Sequence, residues 1–400
     1  MSIFNEAKAI YADLVKDRRY IHENAEIGFD MPFTSAYVKK RLGEMGYNPV
    51  DCGQNGVLAV AGGKKPGKTF LLRADMDALP IAEENDIEFK SKTGNTHACG
   101  HDMHTAMLLG AAKILKDHED EICGQVKLMF QPSEETLEGA LAMIDAGILE
   151  NPKVDAALMI HVFAGMDLPI PSGAPIFTTM PMASSDTFEI TIKGKGCHGA
   201  MSHTGIDPLN VLCHAFIALQ TINSREIAPN ESLSLTIGKI QSGVAPNVIP
   251  DTAFMTGTLR TYKKETRELA KKRIVEITMG VAATFGAEAE VVYKKGNPVL
   301  NSDPALVKAI LEHTRDLLGS QMVINSDELK SKPSLGMGSE DFSYVCEQVP
   351  GMFVGLAAGT KAEGHMFPMH HPKATFNEAA LPVGAAIYAN AALKWLEKTG

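Results

Sequence analysis

Residues 186–193 read DTFEITIK, with Phe188, Ile190 and Ile192 alternating with polar side chains. A period of two marks a strand with one face buried. Downstream, Asp207-Pro208 supplies an N-cap and an N1 proline and predicts a helix to about Asn223. Strand-like runs at 232–240 and 252–261 follow, then a helix from about Glu265 to Phe285 and a strand at 287–293. The order is β-α-β-β-α-β, the ferredoxin-like split arrangement. The stretches 181–185 and 294–298 read as linkers. The expected organisation is therefore an inserted domain at 186–298 between 1–185 and 299–400.

Either side of the insertion, short apolar runs alternate with helical patterns. Residues 2–19 read as one amphipathic helix, with Ile3, Ala7, Ile10 and Leu14 at helical spacing. Strands are predicted at 57–61, 70–72, 126–130 and 156–160, and helices at 104–115 and 139–146. The last third adds a helix at 304–318, a strand at 352–358 and a helix at 376–397. This predicts an α/β domain whose parallel or mixed sheet is covered on both faces. The run GGKKPGK at 62–68 lacks the spacing of a phosphate-binding loop and reads as a hairpin turn.

The 400 residues carry 38 Lys+Arg against 48 Asp+Glu, a net charge of −10, with 45% apolar and 22% charged residues. That balance excludes general disorder and a coiled-coil rod, and the acidity argues against a nucleic-acid backbone binder. No run approaches the ~18 apolar residues of a membrane span. The N-terminus lacks a signal-peptide core, so a cytoplasmic protein is expected. Six scattered cysteines without a C-x-x-C pair exclude a disulfide scaffold, and most are expected to be buried thiols.

Four segments carry candidate chemistry. Residues 97–104, HACGHDMH, place the Cys99 thiol and the His101 imidazole two residues apart in a glycine-containing loop ahead of a helix. These donors can converge on one divalent ion, or the histidines can merely cap the helix. Residues 131–135, QPSEE, put two carboxylates after an apolar strand, where α/β sheets hold active-site loops; a solvated turn is the plainer alternative. His161 ends the run ALMIH, and His370-His371-Pro372 follows a glycine-rich turn. Together Cys99, His101, Glu135, His161 and His370 offer too many donors for one tetrahedral zinc and suit two ions.

On these residues the chain resembles the aminoacylase/carboxypeptidase family of co-catalytic metallohydrolases, and within it the branch of hippurate and indole-acetyl-amino-acid hydrolases. Matching segments run nearly end to end: 19–29, RADMDALP at 73–80, CGHD at 99–102 with His104-Thr105, 131–135, 196–203, 257–260 and SEDF at 339–342. The resemblance implies metal ligands at Cys99, His101, Glu135, His161 and His370, with Glu134 as general base and Asp75 and Asp77 in support. It implies an inserted domain that acts as a lid and forms a homodimer, with His198 reaching the partner subunit's site to stabilise the oxyanion. It further implies that Asn247 and Arg260 hold the substrate. A turn histidine and a strand-face arginine in an ion pair are the plainer readings of His198 and Arg260.

Met103 and Cys197 stand where this branch commonly has glycine, so Met103 is expected to add bulk beside the metal loop. The implied activity is hydrolysis of an N-acyl-L-amino acid to a carboxylic acid and an amino acid. Two divalent ions are implied, zinc or manganese first, cobalt or nickel next. A dipeptidase or carboxypeptidase shares this chemistry. A non-catalytic binding relative would be expected to lose a ligand or the base, and a cysteine hydrolase using Cys99 would leave the two glutamates without a role.

Overall fold

The computed structural model describes residues 2–167, 170–329 and 336–399. It divides into two compact units. One comprises Met1–Met180, Asn301–Ser334 and Tyr344–Gly400; the other comprises Pro181–Leu300 and Leu335–Ser343.

The first unit is built on an eight-stranded mixed sheet. Its order is Val50–Asp51, Val57–Gly62, Cys123–Gln131, Lys65–Asp75, Ala156–Phe163, Gly351–Ala357, Pro175–Phe177, Ile324–Asn325. The four long strands from Cys123–Gln131 to Gly351–Ala357 run parallel. Both alternating side-chain sets of Gly351–Ala357 are buried, so the sheet is covered on both faces, as the α/β pattern predicts. The helices His101–Asp117 and Leu381–Thr399 pack together in that cover. A Cβ at Gly384 would lie 1.9 Å from the Met107 Sδ, so the helices are packed closely enough there that a larger residue would displace the Met107 side chain. Parallel register sets Asp75 opposite Gln131 and His161 opposite Gly355, which brings these strand ends to one edge.

The second unit is an antiparallel sheet ordered Glu288–Asn297, Ser184–Lys193, Thr252–Thr261, Leu233–Ser242. Phe188, Ile190 and Ile192 are fully buried and share a core with the helices Pro208–Thr221 and Lys264–Thr284. Asp207 caps the first helix, accepting from the Leu209 and Asn210 backbone N–H groups. The expected β-α-β-β-α-β order is the one present.

Several local expectations are corrected. Residues 62–68 are not a hairpin turn: Cys123–Gln131 lies between Val57–Gly62 and Lys65–Asp75, antiparallel to the first and parallel to the second. The Gly63 N–H donates to the Gly124 carbonyl at 2.8 Å, a strand from far along the chain that no local motif reports. The segments read as linkers carry sheet pairings, Ser184 with Thr261 and Asn297 with Ser185. The N-terminal helix is two, Ile3–Ala9 and Tyr11–Glu23, and nothing in the structure explains the break at Ile10. The last helix starts at Leu381, because Asn377 caps a separate short turn over Glu378–Ala380. Only Cys52 and Cys99 of the six cysteines are buried.

Candidate metal centre

Three strand ends and two loops build the site. Beyond Cys123–Gln131 the chain turns at Ser133, whose φ is +59°. The turn aims the backbone N–H groups of Glu134 and Glu135 at the Asp77 carboxylate, at 3.0 and 3.1 Å. Asp77 thus clamps both glutamates from the backbone side. Gly100 opens the helix His101–Asp117 at φ +85°, and a Cβ there would lie 2.4 Å from the Val162 Cγ2. Only glycine satisfies both the left-handed backbone and the close approach. His370 also takes a positive φ, +64°, and its N–H donates to the Ala98 carbonyl at 2.9 Å.

These elements bring the five expected ligands together. The Cys99 Sγ lies 3.6 Å from the His161 Nε2 and 3.3 Å from the His370 Nε2. The Glu135 Oε1 is 3.4 Å from the His370 Nε2 and 3.9 Å from the His101 Nε2. Cys99, His101 and His161 form one group whose donor atoms all lie within 4.8 Å of one another; Cys99, Glu135 and His370 form another, as do His101, Glu134 and Glu135. The His101 Nδ1 lies 3.3 Å from the Asp77 Oδ1, but no well-aligned hydrogen bond satisfies either buried His101 nitrogen or the buried Glu135 Oε1, a condition that a bound cation relieves. Thiolate, imidazole and carboxylate in overlapping groups fit divalent cations of the zinc class.

Supporting contacts set the protonation states. The His161 Nδ1 donates to the Val162 carbonyl at 2.7 Å, leaving the Nε2 lone pair toward Cys99. Burial, and then the neighbouring His104, hold the His161 pKa well below the usual imidazole value, so the ring is a neutral donor. The His104 Nε2 accepts the Val162 N–H at 2.8 Å, so its Nδ1 carries a proton toward the Asp75 Oδ1 at 2.5 Å. Asp75 also accepts from Arg73 at 2.7 Å. Burial opposes its charge, but His101, His104 and Arg73 hold its carboxyl well below the usual range. Burial and the Glu135 charge push the Cys99 thiol up, while hydrogen bonds to Cys99 and Glu135 raise His370 to about 10. The donor set is short of positive charge, which is what a divalent cation supplies.

In the second unit, His198 and Asn247 are neighbours. His198 is exposed, stands opposite Val248 in a short antiparallel pair, and accepts the Ala200 N–H at its Nδ1. The Gly199 N–H donates to the Asn247 carbonyl at 2.8 Å. The Arg260 Nη1 donates to the Met337 carbonyl at 2.7 Å and lies 3.4 Å from the Ser339 Oγ.

The family model described as "Peptidase family M20/M25/M40" matches residues 71–394. The chain belongs to this family. The M20 family assignment agrees with relatives that match over nearly the whole chain. Thermostable carboxypeptidase 2 of Saccharolobus solfataricus is 37% identical over 98% of both chains. An N-acetyl-L-cysteine deacetylase of Bacillus subtilis is 38% identical over 92% of this chain and 84% of its own. An Arabidopsis thaliana IAA-amino acid hydrolase is 38% identical over 96% and 86%. Among solved structures, a dinuclear metal-binding peptidase of the M20 family from Bacillus subtilis superposes with a TM-score of 0.81, at 32% identity over 98% of this chain and 99% of that one.

Beside this M20 site, Met103 is fully buried in the hydrophobic core. Asp102, quoted with the ligands, turns toward the helix Tyr11–Glu23 and accepts from Arg18 at 3.0 Å and His22 at 2.9 Å. Sequence reasoning assigned no role to Arg73 or His104. Arg73 stands two residues before Asp75 and so on the same face of its strand, a signal that was available. His97, from the same motif, is buried with both ring nitrogens unpartnered, and burial pushes its pKa down to about 3.

Proposed function

We propose that this protein is a two-metal amidohydrolase that cleaves N-acyl-L-amino acids to a carboxylic acid and a free amino acid. The observation that carries this reading is the convergence of Cys99, His101, Glu135, His161 and His370 beside Glu134, at the carboxyl ends of parallel strands. Those five residues would hold the ions, zinc or manganese first, cobalt or nickel next. When bound, such ions supply Lewis acidity toward the amide carbonyl and a water of lowered pKa. Glu134 accepts the proton of the attacking water and returns it to the departing amine. Asp77 holds the Glu134 backbone in place, while Asp75, fixed by Arg73 and His104, supports the His101 side. Arg260 and Asn247 bind the substrate's carboxylate and carbonyl, with the Arg260 fork retaining donors beyond the one given to Met337.

His198 of a partner subunit stabilises the oxyanion in this reading, which requires a homodimer through the second unit. That unit offers a suitable surface. Leu209, Cys213 and Ile217 are exposed at four-residue spacing on one helix face, and Leu233–Ser242, with Ile240 exposed, is an edge strand. Among the described residues no helix is long and apolar enough to cross a membrane, and cytoplasmic residence is part of the proposal.

A carboxypeptidase or dipeptidase is the second reading, favoured by the identity with the Saccharolobus carboxypeptidase. Purified protein, assayed on N-acyl amino acids and on dipeptides before and after chelation, separates the two. Acylase activity lost to chelator, restored by zinc, manganese or cobalt, and reduced about 10²–10⁴-fold in Glu134→Ala with metal still bound is the expected result. Preference for dipeptides with a free amine shifts the conclusion to the peptidase, and failure to bind metal overturns both.

A further inference from the structure

We propose that His22 is a positioning residue for the metal centre. Through Glu83 and Asp102 it ties the segment carrying His370 to the helix carrying His101. The inference rests on the five-ligand reading above and concerns what fixes the distance between two ligands far apart in the chain.

The path is continuous and buried. The His22 Nδ1 donates to the Asp102 Oδ2 at 2.9 Å, one residue after His101. Its Nε2 donates to both oxygens of Glu83 at 3.2 Å. Glu83 also accepts from the Ser91 N–H at 2.8 Å and from the Asn85 Nδ2 at 3.2 Å. That Asn85 amide donates in turn to the Ala374 carbonyl at 3.0 Å, and the Glu84 N–H donates to the Pro372 carbonyl at 3.0 Å. The irregular segment between Asp77 and His97 is therefore a strap, tied at Glu83 to the helix Tyr11–Glu23 and, at the next two residues, to the chain just after His370.

Both His22 nitrogens face carboxylates, so the ring bridges as a cation. With Arg18 on Asp102 at 3.0 Å it forms a buried quartet of two cations and two anions, which Arg18 extends to Glu378, also at 3.0 Å. All four side chains are buried. Such a quartet contributes little net stability, because burying the ions offsets their attraction; its effect is to select one geometry. None of the four is among the site's candidate donors, so metal binding is affected only through the positions of His101 and His370. Partners behind metal ligands commonly change metal affinity 10–100-fold, and His22 acts one contact further out.

The test is Co²⁺ binding to the full chain by chelator competition, with the visible absorption bands reporting coordination geometry. In His22→Leu the affinity for at least one of the two ions weakens about tenfold and the Co²⁺ bands shift, while the far-ultraviolet dichroism of the metal-free protein is retained. Asn85→Ala, at a half-buried position, gives a smaller change of the same sign and serves if His22→Leu fails to fold. Lys373→Ala, which removes an exposed pair with Glu84 and a cation–π contact with Phe367, leaves affinity and spectrum unchanged. Folded His22→Leu and Asn85→Ala proteins with wild-type affinity and spectrum overturn the proposal. A wild-type protein that takes up no Co²⁺ overturns the metal-centre reading instead.

Discussion

Asp77 shows how much one carboxylate can organise. Its two oxygens satisfy the N–H groups of Glu134 and Glu135 inside the protein, so Asp77→Ala leaves buried donors without partners. The expected cost is about 1–3 kcal/mol for each, read as a lower urea midpoint, with kcat falling as Glu134 loses its aim. His22 governs a pH dependence. Burial disfavours its charge, but the hydrogen bonds to Asp102 and Glu83 win and raise its pKa from 6.5 to about 9. The folded state then holds this proton more tightly than the unfolded state does. Its stabilisation is complete below about pH 6.5 and is lost as pH rises through about 9. Denaturant titrations of wild type against His22→Gln should show the stability gap narrowing across that window. A gap that widened toward alkaline pH would contradict the assignment.

At the scale of elements, the site depends on how the helix His101–Asp117 begins. Gly100→Ala places a side chain in the left-handed region and drives it against Val162. A loss of about 1–3 kcal/mol is expected, with weaker metal binding, measured by thermal unfolding with and without Zn²⁺. Elements with strong local signals were legible: Pro304–Leu318 has its cap and N1 proline, and Thr252–Thr261 its alternation. The turn at 62–68 was not, because its glycines look the same whether the next strand pairs beside the last or leaves room for a third. The strap at 78–96 carries no period at all. Its order comes from side chains such as Glu83 and Asn85 bonding to distant backbone.

For the whole molecule, the proposed homodimer carries a prediction. Ile217→Asp with Ile240→Lys puts charge on the exposed helix face and on the edge strand of the second unit. If wild type sediments as the proposed dimer, this variant should sediment as a monomer, with kcat reduced as far as by His198→Ala. A wild type that sediments as a fully active monomer would remove His198 from the mechanism. Of the candidate site, the five ligand positions and Glu134 were legible from the resemblance, and the structure brings the five together within one unit. The buried supports were less so, since His104 and His22 acquire their roles only from partners on other elements.

What the sequence alone determined was whatever is written in neighbouring residues: the alternation at 186–193, the cap at Asp207, and the donor types in HACGHDMH and QPSEE. Tertiary structure decided which of those donors meet. The parallel register that sets Asp75 beside Gln131, and His161 one strand further on, is a contact between segments far apart in the chain. The same holds for the burial that encloses His101 and the packing that turns Asp102 toward His22. Desolvation and pairing depend on what surrounds a group in space, and only folding brings those surroundings together.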